Sequence, residues 1–215
     1  MKQMITISSW IVGCLLLFSC APGMMKTGFV ENYEEMRERQ EDKSLPSFYY
    51  IKEGADLNKY SKVIIFDFYA LTTEYNLKRL KPGVGDVSNV KTELADNLAR
   101  YIQSNGAFKQ CEHVSSDIAF DDMESIRNLE ADAVLMGNIA DFRTGRGRVS
   151  DQFEIKLIDV ASGETVMVAI DNNTTNLQAV AMPLTFGRLL HLIRIGKGLE
   201  PMPTDRKSGS ISGAF

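Results

Sequence analysis

The chain has 215 residues, enough for one domain with appendages, and at 44% hydrophobic and 24% charged it holds the apolar material for a core. Its formal net charge of −4 argues against nucleic acid as the main partner, because phosphate binding wants a concentrated excess of Lys and Arg.

The N-terminus is unlike the rest. Lys2 is the only charged residue before Lys26, and Ile5 to Phe18 is almost wholly apolar, broken by Thr6, Ser8, Ser9 and Gly13. The run has the length of a signal-peptide core and falls short of the roughly 20 residues of a spanning helix. It ends at Leu17-Phe18-Ser19-Cys20, which resembles a bacterial lipobox, Leu-x-(Ser/Ala/Gly)-Cys, although Phe18 is bulkier than the usual second residue. The resemblance implies a lipoprotein signal peptide over residues 1–19 and an acylated Cys20 as the new first residue. An ordinary signal peptide is the plainer alternative. Each buried acyl methylene contributes about 0.8 kcal/mol of membrane affinity, so a triacylated cysteine holds without a spanning helix. Ala21 stands where enteric-type lipoproteins kept at the inner membrane carry Asp. That implies the outer membrane, on its periplasmic face.

Cys14 leaves with the signal and Cys20 is acylated, so Cys111 stands alone and no intrachain disulfide is expected. Its strand-like surroundings, Phe108 to Val114, predict a buried structural thiol.

Residues 20–61 read as the lipidated cysteine, a tether and a docking segment. "EEMRERQEDK" is a solvated spacer, and "LPSFYYIKEGADLNKY" docks through Phe48, Tyr49, Tyr50 and Ile51. The folded domain is placed at 62–200. "KVIIFDFYAL" predicts a buried strand, interrupted by Asp67, which is either a functional acid or a structural one. "LKPGVGDVSN" is a loop. Val90, Leu94, Leu98, Tyr101 and Ile102 then recur at helical steps, and Gly106 suits a left-handed position after the helix end. "FKQCEHV" is a second strand, "FDDMESIRNLEA" a second helix, and "DAVLMGNIADF" a third strand. In "DQFEIKLIDV", a fourth strand, Phe153, Ile155 and Leu157 alternate against Glu154, Lys156 and Ile158. "ASGE" turns the chain into "TVMVAI", making a hairpin of 152–170. "LTFGRLLHLIRIGKGL" predicts a closing helix, and 201–215 a flexible tail. The order β-α-β-α-β-β-β-α implies an α/β domain of α+β type: a mixed sheet of about five strands with helices packed mainly on one face.

Catalytic signatures are missing. His113 and His191 sit in no metal-binding spacing, and there is no C-x-x-C, nucleophile elbow or Walker loop. No catalytic residue, metal or cofactor is therefore expected, with paired carboxylates the one chemistry left open. "FRTGRGR" sets Arg143, Arg146 and Arg148 around two glycines, either as an anion-binding loop for phosphate, lipid head group or acidic partner, or as a solvated connection. Arg188, His191 and Arg194 recur every three residues against Leu189, Leu190, Leu192 and Ile193. That pattern fits a helix on an anionic membrane surface or one packed on the domain's own sheet.

Two stretches carry a family likeness. Gly28, Phe29, Val30 and Tyr33, then Tyr50, Asp56, Leu57 and Tyr60, resemble the opening of a family of Gram-negative outer-membrane lipoproteins of unknown function. That family usually has a proline after the strand acid, where this chain has Phe68. The second half, "ADAVLMGNIADF" to "FEIKLIDVASGETV", resembles a wider set of envelope proteins through the pattern Ala-Asp-x-(Val/Leu)-x-x-Gly and a strand ending in Asp before a Ser-Gly turn. The set includes the curli-secretion lipoprotein, lipoprotein activators of penicillin-binding proteins and the amino-terminal domain of the Tol translocation protein. The likeness spans residues 27–170 and implies an α/β domain on an outer-membrane tether, acting by binding. The partners it implies are the membrane, through Cys20, and an envelope protein or a second copy of the chain. A binding or assembly accessory is the leading expectation, an oligomeric transport or secretion subunit the alternative, and a cell-wall or lipid hydrolase the third.

Overall fold

In the computed structural model the described residues are 29–30, 36–38, 43–72, 87–116, 118–119, 122–145, 148–175 and 178–202. Residues 1–19, where a signal sequence is expected, Cys20, Arg146 and residues 203–215 lie outside them. Strands β1 (Arg37–Glu38), β2 (Phe48–Ile51), β3 (Lys62–Phe66), β4 (Tyr69–Ala70), β5 (Gln110–Val114), β6 (Ala133–Gly145), β7 (Arg148–Asp159) and β8 (Thr165–Thr175) form one mixed sheet. Its order is β1-β2-β8-β7-β6-β3-β5, with β4 beside β6.

The sheet thus has eight strands rather than about five. The aromatic docking segment joins it as β2, antiparallel to β8, and brings β1 with it. The run "KVIIFDFYAL" divides in two: β3 pairs with β6 at Val63 to Ile65, and β4 pairs with β6 again at Asn138 and Ile139. Between them the Phe68 ring folds over Gly137, where an added Cβ would lie 2.5 Å from Phe68 Cε1.

Helices α1 (Val87–Ser104) and α3 (Gln178–Gly196) cover one face. Leu94, Leu98 and Ile102 of α1 and Leu189, Leu192 and Ile193 of α3 share a core with Val63, Ile65, Leu135, Phe153, Ile155 and Leu157. Gly106, at φ 65°, closes α1 as expected. Its N–H bonds to the Gln103 carbonyl and the Ala107 N–H to that of Ile102, the paired bonds of a Schellman motif. Among the described residues no helix is long and apolar enough to cross a membrane.

The second face is covered too. Ile64, Phe66, Val134, Met136, Ile158, Val168 and Ile170 form a second core with Phe29, Val30 and Ile126 of the short helix α2 (Met123–Arg127). The alternation in β7 places Glu154 and Lys156 on a polar face, yet both are buried, at 0% and 2% exposure. The N-terminal segment returns over them: the Lys156 ammonium sits 5.0 Å from the Phe29 ring centre. Asn138 and Gln152 donate to the two Glu154 oxygens at 2.7 Å and 3.0 Å.

The β7–β8 turn is tied to the residues before β3. Gly163 takes φ 72°, and Asp159 Oδ1 accepts from the Ser162 N–H at 2.8 Å. Asp159 Oδ2 accepts from the Tyr60 hydroxyl at 2.9 Å and from Lys59. Burial alone would raise this carboxyl, but the bonds from Lys59, Ser162 and Tyr60 prevail and hold it well below its ordinary 3.8. A depressed acid stabilises the fold above its unfolded pKa, and the contribution is lost as pH falls toward the folded value. Asp159→Ala is therefore expected to cost about 2–3 kcal/mol at pH 7 in urea unfolding, through one lost charged acceptor and its stranded donors. The deficit should shrink below pH 4; a deficit that stays constant with pH would contradict this.

Candidate functional site

Strands β3, β5 and the first part of β6 run parallel, with Phe66 opposite Val114 at the carboxyl end of β5. In open α/β sheets this end is where ligands bind. Here it gathers Asp67, His113 and Ser115. His113 Nε2 lies 2.7 Å from Asp67 Oδ1, and the Ser115 hydroxyl donates to Asp67 Oδ2 at 2.7 Å. Burial would raise the Asp67 carboxyl, but hydrogen bonds from Ser115, His113 and Thr92 of α1 outweigh it and hold it below its ordinary value. The carboxylate sits in the middle, with histidine and serine each bonded to it. Activating a serine needs the histidine between serine and acid. The cluster as it stands ties β3, β5 and α1 together and does not activate Ser115. The pairing of residues 46 apart depends on parallel register, which leaves no mark in sequence spacing.

A second polar network lies under α3. Arg188 Nη1 reaches both Asp171 oxygens, at 3.0 Å and 2.9 Å, and Asn173 Oδ1, while Nε donates to the Lys43 carbonyl at 3.0 Å. Asn173 Nδ2 donates to Asp151 Oδ1 at 2.9 Å, and the Thr185 hydroxyl to Asp171 Oδ2 at 2.9 Å. Burial, with the charge of Asp171 adding to it, pushes the Asp151 carboxyl up to about 6, against the opposing pulls of Asn173 and Arg188. Arg188 therefore belongs to the packed reading of the last helix and not to a membrane-facing row. Leu189, Leu190, Leu192 and Ile193 beside it are all buried.

The arginine stretch is not one loop. Strands run through it: Arg143 lies in β6 opposite Ser150, and Arg148 opens β7 opposite Gly145. Arg143 is exposed, with Nε 2.7 Å from Asp141 Oδ2. Among the described residues Arg143 has an acid of its own in Asp141, while Arg146 and the Arg148 side chain lie outside them. Cys111 is buried, and that burial pushes its thiol up to about 12, as befits an inert core group. Its N–H, on the outer side of the last strand, donates to the Gln103 side chain. That bond occupies a donor at a sheet edge otherwise open to a partner strand.

A cleft of about 390 Å³ opens between α1 and α3, lined by Lys43, Tyr101, Asn105, Leu184, His191 and Arg194 among others. Gly187 faces the Tyr101 hydroxyl, which a Cβ there would meet at an ordinary contact distance of 3.7 Å. The Tyr101 ring packs on Phe186 at 6.0 Å. His191 Nδ1 lies 2.8 Å from Glu200, and its Nε2 3.4 Å from the Ser44 hydroxyl. Sequence periodicity marked His191 and Arg194 as a polar row and Tyr101 as part of the stripe of α1, but not Asn105 or Lys43, and helix packing alone brings them to one cleft.

No family model matches the chain, and no curated protein matches it. Among solved structures it is similar to the PelC dodecamer from Paraburkholderia phytofirmans, at 19% identity and a TM-score of 0.47, over 67% of this chain and 94% of that one. It is also similar to lipoprotein GNA1162 from Neisseria meningitidis, at 12% identity and 0.36, over 62% and 97%. A third likeness, to the LpoB C-terminal domain from Escherichia coli, has 17% identity and 0.30, over 57% and 90%.

Proposed function

We propose that the protein is an outer-membrane lipoprotein, anchored through Cys20, whose periplasmic α+β domain is a binding or assembly accessory of the cell envelope. The cleft between α1 and α3 carries the binding half of this reading. It is a shallow, open cleft that brings cationic and phenol groups together beside Leu184, which is 41% exposed. Concave sites with a few convergent polar groups are the usual places for ligands. The apolar run ending at Cys20 supports the anchor.

Two measurements test the two halves. Cys20→Ala is expected to abolish incorporation of labelled palmitate and to remove the protein from the outer-membrane fraction; a variant that stays in that fraction overturns the anchor. A photo-crosslinker at Leu184 or Asn105 in living cells is expected to capture one dominant envelope component, and the same group at exposed Asn172 to capture none. Capture from Asn172 alone, or from no position, overturns the cleft as the site. Capture only at Arg143 would move the site to the arginine end of the hairpin.

A further inference from the structure

We infer that the cleft between α1 and α3 recognises a phosphate group and that the carboxylate of Glu200 occupies part of that site in cis. This rests on the binding reading above and names its ligand. The sequence "IRIGKGLE" builds the arrangement. Gly198 adopts φ 67°, its N–H bonds to the Ile195 carbonyl at 2.8 Å, and the Leu199 N–H bonds to that of Arg194 at 2.9 Å. These are the two bonds of a Schellman motif, which reverses the chain after α3. The reversal lays Glu200 back along the last turns of the helix. Its carboxylate lies 2.8 Å from His191 Nδ1 and 3.5 Å from Arg194 Nη1. The protein therefore already holds an anion at the cleft.

A carboxylate satisfies this site only in part. The contacts of Glu200 are to His191 and Arg194, while Lys43 and Tyr101 line the same cleft. Two cations, an imidazole and a phenol make a donor set larger than two oxygens use; the Asn105 amide stands apart, because it donates to the Tyr101 carbonyl at 2.8 Å. Such a set suits a group with three or four oxygens and up to two negative charges, which makes charge-assisted bonds in more directions. The cleft volume falls in the range of small-ligand sites. Arg188 is not part of the donor set, because Asp171 and the Lys43 carbonyl engage it. A phosphate ester free in solution and a phospholipid headgroup present the same chemistry, and either would compete with Glu200.

The test uses the full lipidated chain in neutral detergent and two probes: inorganic phosphate, and dihexanoylphosphatidylglycerol below its micelle concentration. Binding is followed by calorimetry and by the ring signals of His191. Glu200→Gln is expected to tighten binding about tenfold, the size of one competing charge-assisted contact. Adding Arg194→Ala should reverse the gain, and Arg194→Gln serves as a second variant of similar size if the alanine form melts early. Response to both probes supports recognition of the phosphate group itself, and response to the lipid probe alone supports a headgroup as its source. No binding by Glu200→Gln, or binding indifferent to Arg194, overturns the inference. If cleft crosslinking persists in that case, the binding reading stands and only the ligand class falls.

Discussion

Arg188→Ala should destabilise the domain by about 3–5 kcal/mol, the cost of breaking a buried pair and leaving its partner charge uncompensated. The Arg188 side chain is 13% exposed and that of Asp171 3%. Removing the guanidinium takes the paired cation from the buried Asp171 carboxylate, which keeps the neutral donors Ser47, Asn173 and Thr185, and takes a neutralising charge away from Asp151 close by. It also breaks the bond to the Lys43 carbonyl, which holds the segment before β2 against α3. The deficit should depend on pH. Asp151 is raised by burial to about 6, so its protonated form is the one the fold favours. For such an acid, stability present at low pH is lost as pH rises through the folded value. Without Arg188 the ionised form becomes less tolerable, so urea unfolding should show a larger deficit at pH 7.5 than at pH 5. A flat deficit, or one under about 1 kcal/mol, would reduce the network to an ordinary surface pair. Arg188→Lys should recover only part of the loss, because an ammonium on a thinner stem cannot reach Asp171, Asn173 and the Lys43 carbonyl from one planar fork.

Gly137→Ala carries the second large effect, expected at about 2–4 kcal/mol and above the usual cost of overpacking. A Cβ at this position would meet three Phe68 ring atoms at 2.5–2.7 Å. The ring is 2% exposed and sits in the core under α1 and α3. It has no solvent to swing into, so the backbone of β6 or the packing of the helices must shift. The pair can be tested as a cycle. Phe68→Leu alone should lose stability through lost packing, and combined with Gly137→Ala it should lose less than the sum of the two. Strict additivity would mean that the ring and the glycine are not coupled. The contact also accounts for the glycine that follows the apolar run Ala133–Met136 in β6.

Much of this architecture is legible in the sequence where one element repeats one period. Leu94, Leu98 and Ile102 mark α1, and Phe153, Ile155 and Leu157 mark the helix-facing side of β7, because each pattern reports a single buried stripe. The hairpin is legible only over 152–170. Its strands continue through Ser150, Asp151, Asn173 and Thr174, where pairing persists but hydrophobic alternation does not. Glu154 and Lys156 are misplaced for a different reason. Their cover comes from Phe29, more than a hundred residues earlier, and no local pattern announces it. The same holds for the sites. Arg143 and Arg148 look like a loop because glycines flank them, while the ladder through them is made by backbone. Asp67 with His113, and His191 with Tyr101 and Asn105, are products of register and helix packing.

The burial of Phe29 and Val30 sets a length. Phe29 stands nine residues after Cys20. Fully extended, that stretch spans about 30 Å, and as a flexible coil its typical reach is about 17 Å. Under the anchor proposed above, so short a leash would make the domain ride as a float on the bilayer rather than as a kite. Components of that thin layer would then meet it at high effective concentration, and anything farther off would have to come to it.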